Sequence, residues 1–177
     1  MTQVTILKIA ENNFAVLSAL ARRTFVDTFR GTCTEDDLTF FLDTTYSEDI
    51  FKAECVMPGT EIWTAWSENQ IIAYIQMSLD NTTPELLGAR GLEIQRLYVA
   101  PEHKGKGIGK TLMELAHQRA VEFQSPLIWL GVWEYNYPAL KFYTNFGFSV
   151  FCSHPFPIGN TAQTDLWMRK DLLPAKH

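Results

Sequence analysis

The run His103-Lys104-Gly105-Lys106-Gly107-Ile108-Gly109-Lys110 joins an apolar β-rich segment, Leu92 to Val99, to a stretch with Leu112, Leu115, Ala116, Ala120 and Phe123 on one helical stripe. A strand, a glycine-rich turn and a helix in that order set free backbone N–H groups and the positive end of a helix dipole around one point. Glycines let that backbone come close to oxygen atoms, and Lys104, Lys106 and Lys110 add positive charge. The expected ligand group is a phosphate or pyrophosphate. Two phosphate loops fail on spacing. A Walker A loop needs four residues between its first glycine and Gly-Lys-Thr, and only three separate Gly105 from Gly109-Lys110-Thr111. The dinucleotide fingerprint needs GxGxxG, whereas Gly105, Gly107 and Gly109 give GxGxG, far into the chain.

Around this turn the pattern alternates between strands and helices, which argues for an α/β chain with a mixed sheet. A short β-rich start (Val4 to Ile9) precedes a helix carrying Phe14, Leu17, Leu20, Ala21 and Phe25, with Asn12 or Asn13 as its expected cap. Thr34 before Glu35-Asp36-Asp37 and Ser47 before Glu48-Asp49 each put a hydroxyl cap ahead of acids, as a helix start favours. Between Thr60 and Leu79, Ser67-Glu68-Asn69-Gln70 separates two β-rich runs and predicts a hairpin, followed by a polar loop from Asn81 to Glu85. Leu127 to Trp133 reads as a buried strand and Tyr137 to Phe146 as a helix. Phe148 to Ser153 and Gln163 to Arg169 read as two closing strands around Pro157-Ile158-Gly159-Asn160. No repeat or linker divides the chain, so residues 1–177 are expected to form a single domain.

The glycine turn resembles the pyrophosphate loop of GNAT acetyltransferases, in the register Lys104-x-x-Gly107-x-Gly109, with Lys104 where the family carries Gln or Arg. Asn136, Phe142-Tyr143 and Asn145-Phe146-Gly147-Phe148 follow in the order that family shows. The resemblance implies a mixed, mostly antiparallel sheet of about seven strands with flanking helices and a splayed central parallel pair. It implies acetyl-CoA as acetyl donor. Leu97, Tyr98 and Val99 would hold the pantetheine arm by main-chain groups. Lys104, Gly105, Lys106, Gly107, Ile108, Gly109 and Lys110 would hold the pyrophosphate, and Asn136 would contact the cofactor. Tyr143 would donate a proton to the departing thiolate, and a homodimer would be a frequent arrangement.

An amine such as a lysine side chain, with a pKa of about 10.4, is protonated at neutral pH and must lose a proton before attacking a thioester. Glu93, inside Leu92-Glu93-Ile94-Gln95-Arg96, is the candidate base, because a carboxylate in an apolar strand must face a polar cavity or pair with a cation such as Arg96. Direct attack is expected, with backbone N–H groups polarising the carbonyl. Cys33, Cys55 and Cys152 stand in no nucleophile-plus-base or ligand pattern, so neither a covalent relay nor a metal site is expected.

Within the GNAT enzymes the chain looks similar to bacterial Pai-type spermidine/spermine acetyltransferases. Thr24-Phe25-Val26-Asp27-Thr28-Phe29, Leu92 to Val99, Trp129-Leu130-Gly131-Val132-Trp133-Glu134, His154-x-Phe156 and Gln163-Thr164-Asp165 carry that likeness. It implies a polyamine acceptor. Carboxylates and aromatic faces suit such a cation, and Asp27, Glu93, Trp133 and Glu134 are the candidates. His154 is left open between a strand position and the acceptor site.

A net charge of −5 disfavours nucleic acid as a partner and suits a cationic small molecule. No run approaches the roughly 20 apolar residues of a membrane span, and the start lacks a signal-like pattern, so a cytoplasmic location is expected. Rival readings are a GNAT acting on a protein N-terminus, an amino acid or an antibiotic, a CoA-binding sensor without turnover, and a nucleotide-binding switch.

Overall fold

The computed structural model describes residues 4–86 and 88–172. Seven strands form one sheet in the order β1-β2-β3-β4-β5-β7-β6. They are β1 (Thr5–Lys8), β2 (Thr60–Ser67), β3 (Gln70–Asn81), β4 (Gly91–Val99), β5 (Leu127–Trp133), β6 (Ser149–Pro155) and β7 (Thr164–Asp171). Every neighbouring pair is antiparallel except β4 with β5. The mixed, mostly antiparallel sheet is therefore as expected. The β2–β3 turn has Glu68 and Asn69 both at positive φ (49° and 62°), the geometry whose twist matches a tight hairpin.

Helices α1 (Phe14–Phe29), α2 (Glu35–Thr45) and α3 (Glu48–Cys55) cover one face, while α4 (Ile108–Glu122) and α5 (Tyr137–Asn145) cover the other. Thr34 and Ser47 accept hydrogen bonds from the Asp37 and Ile50 N–H groups, so both expected caps form. The expected asparagine cap of α1 does not. Glu11–Asn13 is instead a 3₁₀ turn, and Asn13 makes no side-chain cap bond. Strand alternation divides the core accordingly. Ile75, Met77, Leu92, Ile94, Ile128 and Leu130 pack toward α4, whereas Ile62 and Tyr74 pack with Phe25, Phe29 and Phe51.

Two features of β4 shape the centre of the sheet. Gln76 pairs with Arg96 and Met77 with Ile94, so Gln95 is an extra residue in a β-bulge. The bulge resets the alternation, so Glu93, Arg96 and Tyr98 pair with Ser78, Gln76 and Tyr74 and share the α1–α3 face. In addition, β4 and β5 pair only from Leu92–Ile128 to Ile94–Leu130. Beyond these positions the strands diverge, and the β5-facing edge of Gln95 to Val99 has no β5 partner.

Candidate active site

The divergence opens into a cleft of about 950 Å³. Its walls are β4 from Glu93 to Val99, the glycine turn, Gly131 to Trp133 of β5, the start of α5, and residues of α1 and α2. The cleft thus gathers most of the residues expected from sequence: Asp27, Glu93, Leu97, Tyr98, Val99, Lys104, Gly105, Gly107, Ile108, Gly109, Lys110, Trp133, Asn136 and Tyr143 all line it. Lys106 and Glu134 do not. Lys106 is exposed on the turn, and Glu134 falls on the opposite alternation from Trp133, where its N–H bonds the Thr164 carbonyl.

The glycine turn leaves its backbone open to the cleft. Gly105 and Gly107 have φ of 76° and 82°, and a Cβ at either would meet nothing within 4 Å, so both face open space in a conformation that L side chains rarely adopt. Gly107 is the residue before α4, and the first N–H groups of that helix lack intrahelical partners. Gly109 is helical, and a Cβ there would make ordinary contact with the Phe142 ring at 3.5 Å, which marks where α4 sits against α5. Lys104 stands at the head of the turn but donates to Asp27 on α1 at 3.1 Å. That exposed ion pair ties the turn to α1 and occupies an acid expected to meet the acceptor.

On the acceptor side, the Glu93 carboxylate accepts a hydrogen bond from Asn81 Nδ2 at 2.6 Å. Burial pushes its pKa up, against the opposing hydrogen bonds of Asn81 and Gln95 and the more distant charge of Arg96. Arg96 is not its ion-pair partner, contrary to one sequence-based expectation. The guanidinium donates instead to Glu54 at the end of α3 and to Gln76, beneath the rings of Tyr46 and Phe51. The bulge at Gln95 puts Arg96 on the same face as Glu93, and there Glu54 of α3 takes up the guanidinium.

Asn136 accepts from the Ala139 N–H at 3.2 Å and caps α5, so it positions the helix that carries Tyr143. Tyr143 is buried against Phe142 and Phe148, and desolvation holds its pKa well above the usual phenol range. Its hydroxyl therefore keeps its proton throughout the working pH range. Trp133 donates to Gln163 at 2.8 Å and packs on Phe29 and Tyr135 in an aromatic wall completed by Phe41 and Phe156.

One cleft group was absent from the sequence-based site. Asp165 of β7 pairs in register with Trp133, and its Oδ2 lies 3.0 Å from where a Cβ on Gly131 would stand. Burial pushes this carboxyl up to about 6, with only His154 pulling it back. The segment Gln163-Thr164-Asp165 was legible as a likeness, but nothing local signals that its acid enters the cleft. Among the described residues, no cluster of His, Cys, Asp or Glu forms a metal site, and no helix is long and apolar enough to cross a membrane.

Residues 24–148 match the family model described as "Acetyltransferase (GNAT) family". An uncharacterized N-acetyltransferase from the pepI 3′ region of Lactobacillus delbrueckii subsp. lactis is 33% identical over 173 residues, 98% of this chain and 100% of that protein. Streptothricin acetyltransferase from Streptomyces lavendulae is 44% identical over 61 residues, covering 34% of this chain and 32% of that protein. Among solved structures, the PaiA N-acetyltransferase of Thermoplasma acidophilum in complex with coenzyme A superimposes with a TM-score of 0.76 at 22% identity, over 96% of this chain and 99% of that one. That likeness is one of fold. A glycine-cradled helix start beside a splayed strand pair defines a transferase that takes its group from a CoA thioester. The chain belongs to the GNAT family of acetyltransferases, and acetyl-CoA is its acetyl donor.

Proposed function

We propose that the protein acetylates a primary amine of a polyamine such as spermidine or spermine by direct attack, as a single cytoplasmic catalytic domain. The observation that carries this reading is the acceptor half of the cleft, where the Glu93 and Asp165 carboxylates stand beside the aromatic wall of Phe29, Phe41, Trp133 and Phe156. Carboxylates pair with ammonium groups, while ring faces cover methylenes and attract cations.

The donor supplies an activated acetyl group. The Gly105 and Gly107 backbone and the start of α4 are suited to its pyrophosphate, and the free edge of β4 from Gln95 to Val99 to its amide-bearing arm. In the same gap, β4 N–H groups are the available donors for a carbonyl oxygen that gains negative charge. Glu93, desolvated but hydrogen-bonded by Asn81, accepts the proton that the acceptor ammonium loses, directly or through one water. Tyr143 offers its hydroxyl to the departing sulfur. Full transfer from a phenol shifted upward by burial to a thiolate of pKa about 8.5 is uphill, so the hydroxyl acts as a hydrogen-bond donor more than as an acid. That departs from the full proton donation that the family resemblance implied.

Thiol release from acetyl-CoA tests the reading, with spermidine, spermine, a lysine peptide, streptothricin and no acceptor. Turnover with polyamines that falls about tenfold in Tyr143→Phe, about 1.4 kcal/mol of barrier, supports acceptor and donor role together. A cationic antibiotic is the second reading, favoured by the 44% identity to streptothricin acetyltransferase. Turnover with streptothricin alone would replace the polyamine assignment.

A further inference from the structure

Asp165 is a carboxylate without a hydrogen bond or ion pair among the described residues, yet it is partly buried and lines the cleft. His154, its register partner on β6, is exposed and has its ring stacked on Trp167 at 4.5 Å and 11°. Gly131 is what lets the acid in, because any side chain there would meet Asp165 Oδ2 and the Trp167 ring at 3.0 to 3.3 Å. A carboxylate that has lost water without gaining a partner is an unfavourable arrangement in the free protein, and a bound cation relieves it.

Register places this acid relative to Glu93. Glu93 pairs with Trp129 and Asp165 with Trp133, so both lie on the same face, on the two strands that flank β5. Trp129 and Trp133 are four residues apart, and the Asp165 carboxylate leans back to Gly131. The two acids are thus offset along β5 by two to four residue rises, roughly 7 to 13 Å, and across it by two strand spacings, roughly 10 Å, so an ion pair at each leaves room for a short chain between the charges. We propose that Asp165 is the counter-charge for a second cationic centre of the acceptor, so that the cleft selects amines carrying two positive charges separated by a short alkyl chain. The aromatic wall beside Trp133 covers the methylenes between them. The inference rests on the amine-acetyltransferase reading and narrows its acceptor to a dication.

The test is calorimetric titration of 1,4-diaminobutane, spermidine and n-butylamine into the full chain saturated with CoA, for wild type, Asp165→Asn and Asp43→Asn. Asp43 is an exposed acid of α2, paired with Arg22 and outside the cleft, and controls for loss of one negative charge. The expected result is at least tenfold tighter binding of the two polycations than of n-butylamine in wild type and in Asp43→Asn. In Asp165→Asn, with its thermal transition intact, that preference falls to threefold or less. Equal binding of all three amines by wild type, no binding of any, or a preference that survives Asp165→Asn overturns the proposal. Thiol release on the same samples reports separately. Binding that depends on Asp165 without turnover sinks the polyamine-acetylation reading and leaves the Asp165 subsite standing.

Discussion

Arg96 of β4 is clamped by Glu54 of α3, each terminal nitrogen of the guanidinium meeting one carboxylate oxygen. Both side chains are largely buried, and the pair lines the cleft with the guanidinium against the Tyr46 and Phe51 rings. Hydrogen bonding and charge from Glu54 hold the Arg96 pKa above its usual value despite burial. Removing one partner strands the other. Glu54→Gln is expected to lower stability by about 3 kcal/mol or more, read as a fall in the denaturation midpoint with an unchanged slope. An unchanged midpoint would show the clamp to be incidental.

Asp165 makes the opposite prediction for stability. Burial pushes its pKa up to about 6 in the folded chain from an ordinary 3.8, so between these values the folded state holds more proton than the unfolded one. Stability therefore drops as pH rises through that window, by at most about 3 kcal/mol for a shift of about two units. Asp165→Asn is expected to raise the melting temperature at pH 8 and to leave it nearly unchanged at pH 4. Melting curves at the two pH values decide this. A variant less stable than wild type at pH 8 would mean that Asp165 already has a stabilising partner.

Glu93→Gln should lower kcat by about 10²-fold or more, the range for loss of a general base. Its remaining activity should climb with pH toward the acceptor's own pKa of about 10, because only amine already deprotonated by solvent then reacts. In wild type the acid limb should lie above the ordinary carboxylate range, since burial raises the Glu93 pKa and the ionised form is the active one. Identical pH–rate profiles for the two proteins would remove Glu93 from the chemistry.

Gly107 and Gly31 provide a matched pair. Both hold positive φ, 82° and 80°, with open space where a Cβ would go, but only Gly107 lies in the turn. Gly→Ala at either should lower stability by about 1 kcal/mol. Only Gly107→Ala should also raise KM for acetyl-CoA, several-fold, if the backbone there meets the pyrophosphate as proposed. Equal KM values would place the anion elsewhere.

Strand and helix order was legible because each signal is local. The Thr34 and Ser47 caps, the Glu68-Asn69 hairpin turn and the glycine turn are all written in a few adjacent residues. What sequence left hidden depends on pairing between distant segments. The bulge at Gln95 is visible only against Gln76 and Met77, and without it simple alternation puts Arg96 on the face opposite Glu93, away from Glu54. Asp165 enters the cleft only because β7 pairs with β5 opposite Gly131. Glu134, just past the end of β5, has its N–H on the Thr164 carbonyl and stays outside the cleft that Trp133 lines.

The three residue pairs that join β4 to β5 have a mechanical meaning as well. Strands β1 to β4 on one side and β5, β7 and β6 on the other are stitched to each other within the sheet only from Leu92–Ile128 to Ile94–Leu130. A sheet stitched so briefly at its middle is a seam along which the two halves can flex. A donor arm held in the gap as proposed would bond to the free edge of β4 and restore continuity across that seam. Those amide protons of Gln95 to Val99 that face the gap instead of β3 should accordingly exchange quickly in the free protein and slowly once CoA is bound, so that the ligand acts as the missing length of the sheet.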